Sequence, residues 1–198
     1  MTRWIAALSL AALMGAALTA APAQAAPEKY EIDPEHFSIV FFVSHVGYGN
    51  LAGMFLEGEG EFLYDADTQS ISDLTVEIEA DSVFTNHKRR DRHLRSADFL
   101  DAREFPKITF TMTRAEPESD TTGRIYGTLE LLGQSREIVL EVTRNKHAKY
   151  PFGHKKLTLG ISASTSFKRS DFGMMYAVDD GMVGDVVEMC FEFEALKQ

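Results

Sequence analysis

Cysteine is almost missing from this chain: Cys190 stands alone among 198 residues. No internal disulfide can form, so stability has to come from a packed core. Metal-binding signatures are missing too. The histidines His36, His45, His87, His93, His147 and His154 include no i, i+4 pair, and none joins the cysteine at a ligand spacing, so no metal site is assigned. No G-x-S-x-G, Walker loop or G-x-G-x-x-G occurs, and no nucleophile has a base beside it. No catalytic residue is assigned. Positive charge is scarce, with 20 Lys and Arg against 30 Asp and Glu and a net charge of −10, which excludes a general attraction to nucleic acid or anionic membrane.

Long apolar runs are equally rare. The one present, residues 5–18, follows Arg3 and precedes Ala23-Gln24-Ala25, an A-x-A cleavage pattern. It is short for the ~20 residues of a spanning helix and rich in Ala and Gly, so a secretory signal is preferred over a membrane anchor. The expected organisation is a signal peptide over residues 1–25 and one exported domain over 26–198. Removing the signal deletes Arg3 and no acid, and no cysteine lies near the cleavage site to accept a lipid. A free periplasmic or secreted protein follows, with no stable membrane insertion.

What is abundant is β-strand alternation. Residues 36–45 (HFSIVFFVSH) form a first strand after a linker at 30–35, with Phe37, Ile39, Phe41, Val43 and His45 on one side. Residues 51–64 form a second, with bends expected at Gly58 and Gly60. Leu74, Val76, Ile78 and Ala80 alternate with Thr75, Glu77 and Glu79 in a third. Ile108, Phe110 and Met112 mark the fourth, and Ile125, Gly127, Leu129 and Leu131 the fifth. Ile138, Leu140 and Val142 mark the sixth, Leu157 to Phe167 the seventh, and Val187, Met189, Phe191 and Phe193 the eighth.

Eight strands in meander order indicate an all-β fold, and closure favours an antiparallel barrel over a sandwich. Its inner face mixes large residues (Phe41, Phe110, Phe191, Phe193) with small ones (Ala80, Gly127, Ala163). That mixture fits either a cavity or a filled, tapering barrel. An outer-membrane barrel is excluded by Glu77, Glu79, Glu137, Glu141, Glu188, Glu192 and Glu194, which would face lipid.

Residues 85–100, TNHKRRDRHLRSADFL, interrupt the strands with a short helical insert between strands three and four. On a wheel of ~3.6 residues per turn, Leu94 shares its face with His87, Arg90 and Asp91, while Lys88, Arg92 and Arg95 form a solvated opposite face. Thr85 or Asn86 is the candidate N-cap, and Phe99, Leu100 and Phe105 are the candidate anchors of a lid. Arg90 and Asp91 either form an ion pair that holds this lid or meet a ligand, together with His45 or Arg169.

The run Arg90-Asp91-Arg92-His93-Leu94-Arg95-Ser96-Ala97-Asp98-Phe99 makes the chain resemble the YceI-like family of lipocalin-like polyisoprenoid-binding proteins. His36 with Phe41, Val43 and His45 adds to the likeness, as do Gly53-Met54-Phe55, Thr85-Asn86-His87, Gly127-Thr128-Leu129, Arg169-Ser170-Asp171-Phe172-Gly173 and Val183-Gly184-Asp185. Departures are Leu100, where many members carry Phe, and a Met- and Asp-rich loop at 171–185.

The resemblance implies an eight-stranded antiparallel barrel in the periplasm around an apolar channel. Its ligand would be a polyprenyl phosphate or a long-tail isoprenoid quinone, with no other cofactor, and a homodimer is a candidate assembly. The channel would be lined by Phe41, Val43, Phe55, Val76, Ile78, Phe110, Leu129, Leu140, Ile161, Phe191 and Phe193. A polar head or the lid would fall to His45, Arg90, Asp91, His93 and Arg169. Two other readings stay open: an enzyme acting on a small hydrophobic substrate with His45 as acid or base, and a stress-response or adhesion protein that works through its surface.

Overall fold

A computed structural model describes residues 26–198, so the expected signal peptide at 1–25 lies outside the described residues. The strands are β1 (Glu28–His45), β2 (Gly49–Phe55), β3 (Gly58–Asp65), β4 (Ser70–Glu79), β5 (Val83–Phe84), β6 (Lys107–Pro117), β7 (Thr122–Leu131), β8 (Gln134–Lys149), β9 (Leu157–Lys168) and β10 (Val183–Lys197). One helix, α1 (Lys88–Leu94), sits between β5 and β6. Short 3₁₀ turns, Ala80–Ser82 and Arg169–Phe172, follow β4 and β9.

The sheet runs β10-β9-β8-β7-β6-β4-β3-β1 and closes through antiparallel pairing of β1 with β10. The lower part of β1 pairs with β3 and its upper part with β2. Likewise β3 pairs with β4 and β2 with β5. β2 and β3 are thus one barrel strand with a break, and β4 and β5 another, so the wall is an eight-stranded antiparallel barrel, as the alternation predicts. The antiparallel order gathers residues 46–48, the insert at 80–106, the turn at 132–133 and the segment 169–182 at one end.

Three strand limits differ from the sequence reading. Residues 30–35 are not a linker, because Tyr30, Glu31 and Ile32 pair with β10, and the register then shifts before Phe37. Residues 145–149 are likewise strand, paired with β9 beyond a register shift after Arg144. The break in the second strand falls at Leu56 and Glu57 rather than at Gly58 and Gly60. Ser82 accommodates it: its hydroxyl accepts from the Leu56 and Glu57 N–H groups at 3.2 Å and donates to the Glu79 carbonyl at 2.7 Å. A side chain in the neighbouring turn satisfies the backbone that the break exposes.

The inner face carries the apolar residues of every strand, and Ile39, Ile78, Phe110, Leu129 and Leu159 are among those buried. Two glycines control where the large rings lie. A Cβ on Gly53 would stand 2.2 Å from Phe41 Cζ, and one on Gly127 would stand 2.3 Å from Phe110 Cζ. Both phenyl rings therefore lie flat across a bare stretch of wall instead of reaching into the bore. Substituting Gly127→Ala has to push the Phe110 ring inward, and overpacking of this kind costs about 1–3 kcal/mol. The same Cβ would stand 2.6 Å from the Thr111 carbonyl oxygen, so urea denaturation should show that loss, and an unchanged midpoint would mean that ring and strand both yield at no cost.

Candidate functional site

The flat rings leave a lumen of about 440 Å³ that runs from the floor of the barrel to the lid. This volume is in the range of small-molecule binding cavities. The filled-barrel alternative is thereby set aside. All eleven residues expected to line a channel border it: Phe41, Val43, Phe55, Val76, Ile78, Phe110, Leu129, Leu140, Ile161, Phe191 and Phe193. Alternation found them because inner and outer faces interchange with period two. It missed Phe62 on the floor and Met174 and Tyr176 on the loop after β9, which also border the lumen. Loop residues carry no periodic signal.

Behind Phe62, Tyr30 is fully buried and stacks on that ring at 5.7 Å. Its hydroxyl lies 2.9 Å from His147 Nε2. Burial, helped by Glu28 and Tyr64, pushes the Tyr30 pKa up to about 12. Burial, helped by Arg144, pulls His147 below the usual imidazole range. Both are therefore neutral at pH 7 and satisfy each other under the floor.

Of the polar candidates, His45, Arg90, His93 and Arg169 border the lumen and Asp91 does not. Asp91 is 6% exposed, on the buried side of α1. Its carboxylate accepts from the Thr85 N–H at 2.8 Å and from the Thr85 hydroxyl at 2.5 Å. The same hydroxyl accepts from Arg90 Nε at 2.7 Å, and Arg90 Nη2 donates to the Thr85 carbonyl at 2.6 Å. Arg90 and Asp91 are thus joined through Thr85. Burial would raise the Asp91 pKa, but the Thr85 bonds, with the charges of Arg95 and Arg90, bring it below the ordinary aspartate value.

Thr85 is consequently not the helix cap. His87 takes that place, its Nδ1 accepting from the Arg90 N–H at 3.3 Å. Arg95 also departs from the wheel, because the helix ends at Leu94 and Arg95 is its C-cap. Its guanidinium donates to the Asp81 carbonyl and, at 2.8 Å, to the Val83 carbonyl, tying the lid to the turn after β4. Phe99 and Leu100 are buried, as anchors should be.

Arg169 is only 2% exposed, and four of its N–H groups reach backbone carbonyls. Nε donates to Gly184, Nη1 to Met174, and Nη2 to Tyr176 and Val183, all within 2.8–2.9 Å. Burial lowers its pKa, with Asp185 opposing, but an arginine stays charged. It organises the loop of residues 173–182. His93 bridges that loop to the lid, with Nε2 2.8 Å from Asp98 Oδ2 and its ring packed edge-on against Phe99 and Tyr176.

One group of metal-ligating type occurs among the described residues: Asp33, His36 and Glu194, whose ligand atoms lie within 4.8 Å of one another. His36 Nδ1 is already 2.7 Å from Asp33 Oδ2. None of the three borders the lumen.

The chain is similar to known proteins in sequence and fold. The YceI-like domain matches residues 30–195. A UPF0312 protein of Pseudomonas savastanoi pv. phaseolicola is 34% identical over 192 residues, covering 96% of this chain and 97% of that protein. The YceI protein of Campylobacter jejuni superposes with a TM-score of 0.72 at 30% identity, over 78% of this chain and 90% of that one. A polyisoprenoid binding domain from Saccharophagus degradans shares the fold, with a TM-score of 0.63 at 14% identity over 85% of this chain and 98% of that one.

The Thr85 knot is testable. Thr85→Val keeps the shape and removes the hydroxyl, leaving Arg90 Nε and one Asp91 bond without a partner, at a cost of about 1–3 kcal/mol. Because the Asp91 pKa is lower folded than unfolded, its contribution is fully present above about pH 4 and is lost as pH falls through the folded value. In Thr85→Val the carboxyl protonates at higher pH. Acid unfolding should therefore begin at higher pH than in the wild type, and an unchanged acid midpoint would assign the stabilisation elsewhere.

Proposed function

The chain belongs to the YceI-like family, and from that premise we propose that it is a non-catalytic carrier holding a polyisoprenoid lipid in its barrel. A polyprenyl phosphate and a long-tail isoprenoid quinone are the ligand types that fit. The observation that carries this reading is the lumen itself, walled by aliphatic and phenyl side chains and reached past a few polar groups. A tail buried against such a wall gains ~25 cal/mol per Å² without any directional contact. The polyisoprenoid binding domain of Saccharophagus degradans, with the same fold, supports this ligand class.

In this reading the eleven apolar residues hold the tail, and His45, Arg90 and His93 meet the head at the open end. Asp91 and Arg169 hold the surroundings in place, Asp91 through Thr85 and Arg169 through the loop carbonyls. The protein works in the periplasm, delivered by residues 1–25, with residues 26–198 as its one domain. A single chain encloses the lumen, so a homodimer is compatible with carriage and not required for it. Among the described residues no helix is long and apolar enough to cross a membrane.

Organic extraction of protein purified from its native host, followed by mass spectrometry, should release a polyprenol derivative or quinone. If nothing is released and the delipidated protein takes up neither class from detergent, the carrier reading fails. In Arg90→Ala, affinity for a phosphorylated polyprenol should fall about ten-fold more than affinity for the neutral alcohol, because charge-assisted bonds to phosphate are lost. Equal losses would make Arg90 purely structural. Incubation with wild type or with His45→Ala should leave the ligand chemically unaltered in both, and an altered substrate with wild type alone would favour the enzyme reading.

A further inference from the structure

Most large apolar side chains of this domain are inside, and those left outside are not scattered. Of the nine exposed large hydrophobic residues among those described, five (Val46, Tyr48, Met175, Tyr176 and Met182) lie on two loops at the open end of the barrel. Tyr48 is 94% exposed and Met182 50%. The two loops adjoin, since the Val46 N–H donates to the Met182 carbonyl at 2.9 Å. They also reach the lid, because Tyr176 packs on His93. Isolated exposed apolar residues are ordinary, whereas a contiguous set at the mouth of an apolar lumen marks a surface that meets something.

Beside this rim, α1 exposes Lys88, Arg89 and Arg92 to solvent in a protein whose net charge is −10. Their partners are not inside the fold: the ion pairs of the described residues include none of the three. We propose that the open end of the barrel docks reversibly on a lipid bilayer containing anionic lipids, with Tyr48 and Met182 entering the headgroup layer and the basic face of α1 above it. Tyrosine suits that layer, having an apolar ring and a polar tip. Basic side chains near the surface add attraction to anionic headgroups.

The segments at the open end, 46–48, 80–106, 132–133 and 169–182, are close to neutral as a set. The net negative charge therefore lies on the rest of the chain, which an anionic surface repels, and the mouth with the exposed basic face of α1 is the end that can approach. Asp179 and Asp180 stand at the tip of the loop and oppose deep entry, with Asp180 held on the Met182 N–H at 3.0 Å. Contact is therefore shallow and brief. Joined to the carrier reading, on which its purpose rests, docking lets an isoprenoid tail pass between bilayer and lumen without crossing water.

The test is flotation of the full exported domain with vesicles of phosphatidylcholine alone or with phosphatidylglycerol added. Wild type should float with the anionic vesicles and release from them as salt rises. Charge reversal at Lys88 or Arg92 (K88E, R92E) should each lower partitioning about five-fold. The double variant Tyr48→Ser with Met182→Ser should lower it at least about ten-fold. Folding is checked by thermal melting, and Tyr48, nearly free of contacts, should leave it unchanged.

Ligand uptake from detergent micelles is measured alongside, and the rim variants should retain it. If uptake fails while flotation persists, the carrier reading falls and docking stands. If wild type floats with neither vesicle, docking is wrong. If sedimentation shows a wild-type dimer that the rim variants dissociate, a second copy covers this face and the bilayer proposal is overturned.

Discussion

Backbone pairing of β1 with β10, from Tyr30 opposite Lys197 to His45 opposite Val183, is the constraint on which everything inside the barrel depends. It closes the sheet, and eight closed strands set a bore that side chains either fill or leave open for one ligand. Gly53 and Gly127 decide between those outcomes by letting Phe41 and Phe110 lie flat on the wall. On its other edge β1 meets β3 below and β2 above, with the break at Leu56 and Glu57 between them. Ser82 absorbs that break.

The same turn then holds the lid. Arg95 grips the carbonyls on either side of Ser82, those of Asp81 and Val83. At the other end of α1, Asp91 and Arg90 both bind Thr85. A carboxylate buried without partners is strongly unfavourable, so the Thr85 bonds make the lid position a defined one. Strand break and lid thus share one short segment, residues 81–85. Distortion there would be felt in both the wall and the mouth.

At the open end, cations are treated in two ways. Arg169 is buried among carbonyl oxygens that neutralise nothing, and Arg90 is joined to Asp91 through a hydroxyl. Basic side chains therefore gather on α1 and under the loop after β9, at an end of the barrel where Asp and Glu of the same segments nearly balance them. Arg90 and His93 thus stand where the apolar lumen meets the lid.

Much of the wall was legible in the sequence, because an inward residue must be apolar and its neighbours wet. Phe110 flanked by Thr109 and Thr111, or Phe191 flanked by Cys190 and Glu192, reveal their facing directly. The insert was legible too, as the one place where that rhythm stops. The helix cap, the use of Arg95 and the pairing of residues 30–32 were not, since each depends on a partner distant in the chain. Tyr30 with His147 shows this most clearly: they are 117 positions apart and 2.9 Å apart in space. By itself, then, the sequence determined which residues face inward, where the lid lies, and the family. Only the tertiary structure decided that the bore stays open and that Thr85 joins Arg90 to Asp91. Both depend on how rings and hydrogen-bonding groups from different strands meet, and periodicity along one strand carries no record of that.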